Sequence, residues 1–455
     1  MKRNDRGAVP VKRSLIKSGI IFGLVLLLIL LAVPAAFASA PADPSALFTA
    51  KTKDGVTLAL KRYLPDNGAP FRSGAQPVIC MPGLGCNLNF FDIRTPAGER
   101  YSFPLPADTA AWAKNDPYVA NDHMKYYSMA HYLWIQGYDV WCANYRGEGR
   151  APFRSGGENG YAIDELGVLD MQAIVGKVFD VTGKHPVWIG HSMGSTMAYE
   201  YLEGCKFGSG WNPHIVSDAS LTSQRNAGSG REALKGFVDL DGPMIPVSNA
   251  LPDTRLLWIP LSVPLYINVR PIVKTLGNPA GPIFVEAENL IWWVWKALGV
   301  GDVGVVNSLR SMNPADMNTD VARYMIKYAV DGMSTRTLAQ YGDASAKGKF
   351  REDYKNGQWN SLIVKPKDPR PGDGYYYYSD NLAKISIPSL VIADATEDVT
   401  SPGDILNFYK GKTRSGLDEF YVAANTAHVD VVMGLTAPTT TFVKIGDWIS
   451  RLCRN

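Results

Sequence analysis

The residues 187–196 read Val-Trp-Ile-Gly-His-Ser-Met-Gly-Ser-Thr and carry a G-x-S-x-G pattern centred on Ser192. The bare pattern is weak, and its surroundings give it weight. An apolar, strand-like run precedes it and a helix-compatible run, 193–203, follows it. That strand–turn–helix context is the one in which a serine becomes an exposed nucleophile. Gly190 and Gly194 stand where a Cβ would meet the neighbouring strand and helix, so the tight turn needs glycine at both. A serine hydroxyl at a helix N-terminus sits beside unpaired N–H groups and the positive end of the helix dipole, both of which favour a developing anion. The expected chemistry is attack on a carbonyl carbon. The bland alternative is a Gly-rich turn with a buried serine.

Such a serine needs a general base and a residue to orient it. In this architecture the chain order is serine, acid, histidine. The chain has six histidines. His123, His131, His185 and His191 precede Ser192, and His214 follows it too soon, which leaves His428, in a loop after a strand-like stretch at 419–423. The acid is expected in the loop 395–402 that follows the strand-like run 387–394. Asp394, Glu397 and Asp398 compete there. Asp394 ends the strand, where bonding to loop backbone is the expected role, and Asp398, deeper in the loop, is favoured. Asp241, directly after the run 236–240, is the outside candidate. The acid's task is to hold the imidazole tautomer and stabilise the imidazolium without taking the proton. For the oxyanion, one donor is expected from the N–H of Met193 and the second from Leu84, in the Gly-rich turn Gly83-Leu84-Gly85 after the buried run 78–81. That turn lacks the third glycine of a dinucleotide fingerprint.

These residues require a scaffold. From residue 76 short apolar runs alternate with helical stretches, the pattern of βα units and a mostly parallel sheet. Strands are expected near 46–51, 56–63, 78–81, 139–143, 186–190, 236–240, 389–394 and 419–423, and helices near 127–136, 163–182, 193–203, 402–410 and 438–451. Two segments break the alternation. Residues 92–126 form a polar, Pro-rich insertion, and 244–380 is far too long for an ordinary connection, so it is expected to be a subdomain. The latter holds Trp258, Trp292, Trp293, Trp295 and Trp359, five of the chain's 11 tryptophans, and a helix-like stretch at 289–298 that is apolar nearly all round. It reads as a largely helical cap, and its apolar face is a candidate wall for a hydrophobic pocket.

The 455 residues are 46% hydrophobic and 20% charged, a globular composition. The formal charge of +3 is concentrated in the first 17 residues, where six basic side chains accompany one acid. The remainder is close to neutral and slightly acidic, which argues against nucleic acid as the main partner. After that basic stretch comes an uncharged run, 18–42, with Ala36-Phe37-Ala38 near its end. This is the order of a secretory signal, with cleavage expected after Ala38. The rival reading is an uncleaved anchor, since the run is long enough to span a bilayer. An extracytoplasmic location, periplasmic or secreted, follows from either reading. Of the five cysteines, Cys80 and Cys142 fall in expected buried strands, Cys86 and Cys205 could form a bridge, and Cys453 is near the C-terminus. No CxxC or HExxH occurs, so neither a metal nor a cofactor is expected.

Together these motifs resemble the α/β-hydrolase superfamily, and within it the acid-lipase branch of gastric and lysosomal lipases. Tyr138-Asp139-Val140-Trp141-Cys142-Ala143-Asn144-Tyr145-Arg146-Gly147 is similar to that branch's strand ending in an Asn-x-Arg-Gly turn. Residues 163–196 are similar to its helix, strand and elbow, 333–357 to its late-cap segment, and His428-Val429-Asp430 to its His-x-Asp. The resemblance covers roughly 46–452, without 92–126 and much of 244–330. It implies an α/β-hydrolase fold with a cap or lid and carboxylic-ester hydrolysis, with Ser192, Asp398 and His428 as triad and Leu84 and Met193 as oxyanion donors. Some lipases of the superfamily place the acid at the position of Asp241. The sequence departs from the family at Pro82-Gly83, where His-Gly is usual, and at Met193, where Gln is frequent.

The resulting expectation is a signal or anchor at 1–38, a core in two parts, 46–243 and 381–455, and a cap at 244–380. The expected partner is a small-molecule or lipid ester, with lipid-surface contact through the cap and no cofactor. An acyltransferase using the same triad, or a non-catalytic binding protein on a hydrolase fold, is the alternative. Dehalogenase and epoxide-hydrolase chemistry is disfavoured, because both need Asp at the elbow.

Overall fold

Eight short strands, most of them buried along their whole length, form one sheet in the computed structural model. It describes residues 45–65, 75–158, 160–209, 214–226, 228, 230–246, 265–271, 312–353, 374–396 and 399–454. In chain order the strands are β1 (Ser45–Lys51), β2 (Thr57–Tyr63), β3 (Pro77–Met81), β4 (Asp139–Ala143), β5 (Val187–His191), β6 (Gly236–Leu240), β7 (Ser389–Ala393) and β8 (Glu419–Val422). Their spatial order is β1-β2-β4-β3-β5-β6-β7-β8. The pairs β1/β2 and β2/β4 are antiparallel, and every pairing from β4 to β8 is parallel. The sequence explains the change. A short turn at Asp54-Gly55 joins β1 to β2, whereas helical crossovers separate most of the later strands, and parallel neighbours need such crossovers. Strands β3 to β7 are buried on both faces, which is why they read as continuous apolar runs and not as alternating ones.

Helices α1 (Met129–Ile135), α2 (Met171–Thr182), α3 (Met193–Leu202), α5 (Pro402–Gly411) and α6 (Thr441–Arg454) flank the sheet, and α4 (Thr335–Lys347) lies in the 244–380 segment. Two apolar layers result. One places Trp134, Phe442, Ile445 and Trp448 against Val140, Ile189 and Val238. The other places Met171, Val175, Met197 and Tyr201 against Ile79, Trp141 and Trp188. Capping fixes several helix starts: Ser128 accepts from His131 N–H, Ser401 from Asp404 N–H and Ser334 from Arg336 N–H. The expected helix 163–182 is interrupted by a wider turn at Leu166–Asp170. Asp170 there accepts three hydrogen bonds from Arg146, two from the guanidinium and one from the backbone N–H, and this anchors the turn after β4.

The insertion 92–126 is less peripheral than its polarity suggests. Ala110, Ala113, Val119, Met124 and Tyr126 are buried in the first layer, and Trp112 stacks on Tyr126 at 5.6 Å. Of the 244–380 segment, the described part contains α4, a helix at Thr319–Tyr324 and an antiparallel pair, Tyr266–Asn268 with Gly332–Ser334. The expected helix 289–298 and the five tryptophans of that segment lie outside the described residues, as does the N-terminal segment 1–38. Among the described residues no helix is long and apolar enough to cross a membrane. All five cysteines are free thiols, so the Cys86–Cys205 bridge is not formed, and Cys80 and Cys142 are buried as their strands require.

Candidate active site

The site gathers at the C-terminal ends of β5, β6, β7 and β8. Ser192 lies between β5 and α3 with φ 52° and ψ −123°, a backbone conformation that non-glycine residues rarely adopt. Three contacts hold the turn. Ser192 N–H donates to Leu240 O at 2.9 Å, Ser195 Oγ to Gly190 O at 2.6 Å, and Trp188 Nε1 to Gly194 O at 2.8 Å. A Cβ on Gly190 would stand 2.3 Å from Gly194 O, and one on Gly194 would stand 2.3 Å from Met81 O. Both glycines are therefore required by backbone packing, as the motif predicts. Strain of this kind persists only where the surroundings over-determine it.

His428 meets a carboxylate, and that carboxylate belongs to Asp241. Its Nδ1 lies 2.5 Å from Asp241 Oδ2, with both side chains buried. A carboxylate only accepts, so Nδ1 carries a proton, and in the neutral ring the lone pair is then on Nε2. Asp241 directly follows β6 and is itself held with φ 55°. Its Oδ2 also accepts from Thr400 Oγ1 at 2.7 Å, and its Oδ1 from Asp394 N–H at 3.1 Å. The favoured acid, Asp398, lies outside the described residues, and the outside candidate, Asp241, occupies the position beside the imidazole. The reason is topological. Strand β6 sits between β5 and β7, so its C-terminal end reaches the same point as the loop after β7. From that loop, Asp394 N–H and Thr400 Oγ1 both donate to Asp241. Asp241, Asp394 and His428 are also the described group whose possible metal-ligand atoms lie within 4.8 Å of one another. Because His428 and Asp241 are already joined through a proton, the arrangement is suited to proton transfer.

The His428 loop is fixed from both sides. Asp430 accepts from Ala427 N–H at 3.0 Å and from Asn313 N–H at 2.6 Å. On the other side His191 Nε2 lies 2.8 Å from His428 O, and since a carbonyl only accepts, His191 is protonated on Nε2. Its Nδ1 has no hydrogen-bond partner among the described residues. Burial, followed by the neighbouring His428, holds the His191 pKa well below the ordinary imidazole range, so this ring is neutral. It stacks on Phe90 at 4.6 Å and lies 4.6 Å from the His428 ring. Sequence reasoning assigned no role to His191. Its signal is adjacency to Ser192 in the elbow.

Met193 is the first residue of α3, where backbone N–H groups have no intrahelical acceptor. Leu84 lies in the turn after β3. The turn passes so close to the nucleophile that a Cβ on Gly83 would stand 2.7 Å from Ser192 Cβ and 3.2 Å from Ser192 Oγ. This accounts for glycine at the start of the turn. The turn is tied to the 312–353 segment by Asp331 N–H on Gly85 O and Asn87 N–H on Ala329 O, both at 2.8 Å. Just beyond it, Asn87, Leu88, Phe153, Tyr324 and Tyr328 help line a cavity of about 670 Å³. Beneath the elbow, burial pushes the Asp239 carboxyl up to about 7, and Tyr199 OH and Gly242 N–H hold it.

A family model described as "Alpha/beta hydrolase family" matches residues 78–357. Among curated proteins, the chain is 26% identical over 206 residues to "Lipase lipl-1" of Caenorhabditis elegans, covering 43% of each chain. It is 26% identical over 155 residues to human "Lipase member K", covering 32% of each. The chain thus spans less than half the length of these relatives. A solved structure, a soluble variant of monoglyceride lipase from Saccharomyces cerevisiae in complex with a substrate analog, aligns over 92% of this chain and 97% of that one, at 11% identity and a TM-score of 0.46. With the match running from β3 through the elbow into the 312–353 segment, the chain belongs to the alpha/beta hydrolase family.

Proposed function

We propose that the protein is a serine hydrolase of carboxylic esters with Ser192, His428 and Asp241 as its triad. The observation that carries this reading is the His428 Nδ1–Asp241 Oδ2 contact of 2.5 Å, with Asp241 directly following Leu240, whose carbonyl accepts the N–H of a serine held at φ 52°. His428 Nε2 takes the Ser192 proton as Oγ attacks the ester carbonyl. The N–H groups of Met193 and Leu84 receive the oxyanion, each such donor contributing about 3 kcal/mol to the transition state. His428 then protonates the leaving alcohol, and water activated by the same imidazole releases the acid from the acyl-enzyme. Asp241 accepts from Nδ1–H and holds the imidazole in the required tautomer.

Hydrophobic acyl groups are the proposed substrates. The lipase names of the two curated relatives and the aromatic-rich 244–380 segment, the proposed cap and lipid-contact surface, support this. The basic, apolar and A-x-A order of the first 38 residues supports export from the cytoplasm.

The test is hydrolysis of p-nitrophenyl esters from acetyl to palmitoyl by the mature protein and by Ser192→Ala in parallel. The expected result is turnover that the variant loses at least 10³-fold (roughly, from triad removal), with an optimum at medium or long chains. Folded protein with no Ser192-dependent turnover at any chain length would contradict the proposal. Product formed on added alcohol in preference to water would move the assignment to an acyltransferase.

A further inference from the structure

The Leu84 N–H is half of a peptide whose other half is the Gly83 carbonyl. That carbonyl is engaged by two donors. Tyr145 OH approaches it at 3.0 Å in a buried contact, and Cys86 N–H closes the turn at 3.2 Å. In a trans peptide the C=O and N–H vectors point in opposite directions, and the only cis peptide among the described residues is Ala151–Pro152. Fixing the Gly83 oxygen on Tyr145 therefore fixes the direction of the Leu84 hydrogen, away from Tyr145. Gly83 itself is in near-contact with Ser192.

From this we infer that Tyr145 is a positioning residue for the oxyanion site: its hydroxyl orients and polarises the Gly83–Leu84 peptide so that the Leu84 N–H is pre-aimed at the developing oxyanion. The inference rests on the ester-hydrolase reading above. Two effects act together. The hydrogen bond removes a rotation that would aim the N–H elsewhere, and preorganisation of that kind is what an oxyanion donor needs. A hydrogen bond accepted by a carbonyl also strengthens the N–H of the same peptide as a donor.

The placement of Tyr145 suits the role. It follows β4 by two residues, is fully buried, and packs edge-on to Tyr161 with ring centroids 6.1 Å apart. The neighbouring Asn144 and Arg146 are themselves anchored. Asn144 N–H donates to Ala59 O at 3.0 Å, and Arg146 Nε donates to Asp170 Oδ1 at 2.8 Å. The ring thus comes from a stretch with little freedom to shift. Burial, followed by the neighbouring Glu148, pushes the phenol well above its ordinary range, so its proton is present at any working pH. The Tyr145-Arg146-Gly147 stretch flagged in the sequence thereby acquires a task beyond ending a strand.

The experiment compares wild type, Tyr145→Phe and Tyr161→Phe. Tyr161→Phe serves as the control, because it also removes a buried hydroxyl, one that bonds Glu148. Competent sites are counted with an organophosphonate, and kcat and KM for p-nitrophenyl butyrate are taken per counted site. The inhibition constant of an alkylboronic acid, which becomes tetrahedral on the serine, is measured alongside. The expected result for Tyr145→Phe is a kcat per site about tenfold lower, KM within about twofold, and boronate affinity weakened by the same factor as kcat, corresponding to ~1.4 kcal/mol. Tyr161→Phe should leave all three within about twofold. If Tyr145→Phe does not fold, 3,5-difluorotyrosine at position 145 keeps the shape with a stronger donor and should tighten boronate binding at least twofold. Unchanged kcat per site and boronate affinity in folded Tyr145→Phe, or unchanged boronate binding in the fluorinated protein, would overturn the inference. A wild type that reacts with neither phosphonate nor boronate would overturn the ester-hydrolase reading itself, and this inference with it.

Discussion

Replacing Asp241 by Asn exposes the logic of the site, because the structure states what each atom of the new side chain would meet. The carboxylate receives three donors. His428 Nδ1–H and Thr400 Oγ1–H converge on Oδ2 at 2.5 Å and 2.7 Å, and Asp394 N–H approaches Oδ1 at 3.1 Å. A backbone N–H cannot turn round, so the Asn oxygen must occupy the Oδ1 position. The amide NH₂ then faces the imidazole and the threonine. The threonine hydroxyl can rotate to accept, whereas the imidazole can accept only by moving its proton from Nδ1 to Nε2. In that tautomer Nε2 no longer has a lone pair for the Ser192 proton. The equivalent change in a serine-protease triad lowers kcat by about 10⁴-fold with the geometry intact, which corresponds to roughly 5 kcal/mol of barrier. We expect a loss of that order for Asp241→Asn with p-nitrophenyl butyrate, KM changing by less than about threefold and the circular dichroism spectrum unchanged. Asp398→Asn measured in parallel should keep kcat within about threefold. The reverse pattern, Asp398→Asn inactive and Asp241→Asn active, would refute the reasoning and return the acid to the loop after β7.

Two other perturbations follow from buried groups. In His191→Phe the ring stack on Phe90 can persist, but the hydrogen bond to His428 O is lost and leaves that carbonyl buried without its donor. At about 1–3 kcal/mol for such a group, kcat should fall roughly tenfold while KM holds, and an unchanged kcat would show that the contact does not position the imidazole. Asp239 concerns stability. Burial raises its folded pKa to about 7, above its value in the unfolded chain, so the stability it contributes is full at low pH and is lost as pH rises through about 7. Asp239→Asn removes that titration. The Tm of wild type minus that of the variant should therefore fall as pH rises from 5 to 7.5, and a difference that stays constant over this range would contradict the assignment.

Much of the fold is legible in the sequence because the parallel strands are buried on both faces. Runs such as 78–81 and 236–240 are apolar, short and bounded by turn residues, and they coincide with β3 and β6 to within a residue. The elbow is legible for a related reason. Gly190 and Gly194 each face backbone at 2.3 Å, a constraint that leaves no other residue type and so stands out in the pattern. His428 could be reached by elimination, because so few histidines were available. The acid could not. Asp394, after β7, and Asp241, after β6, both reach the His428 imidazole region, and the choice depends on which strand lies next to β5, a property of the sheet order and not of any local run. Asp394 and Thr400 illustrate the ambiguity, since one ends the expected strand, the other lies in the expected loop, and both donate to Asp241. Tyr145 and His191 were hidden for another reason. Their contacts are single hydrogen bonds to carbonyls far away in sequence, Gly83 and His428, and leave no periodicity or spacing to read.

The central claim is that Ser192 becomes acylated during turnover. Intact-protein mass spectrometry of the enzyme mixed with p-nitrophenyl acetate and quenched within the first turnovers tests it directly. The account predicts an acetyl adduct of 42 Da (roughly, an acetyl replacing a hydrogen) on the peptide containing Ser192, formed with a burst of about one p-nitrophenol per competent site and absent from Ser192→Ala. Hydrolysis proceeding without an adduct or burst, or an adduct that persists in Ser192→Ala, would contradict it.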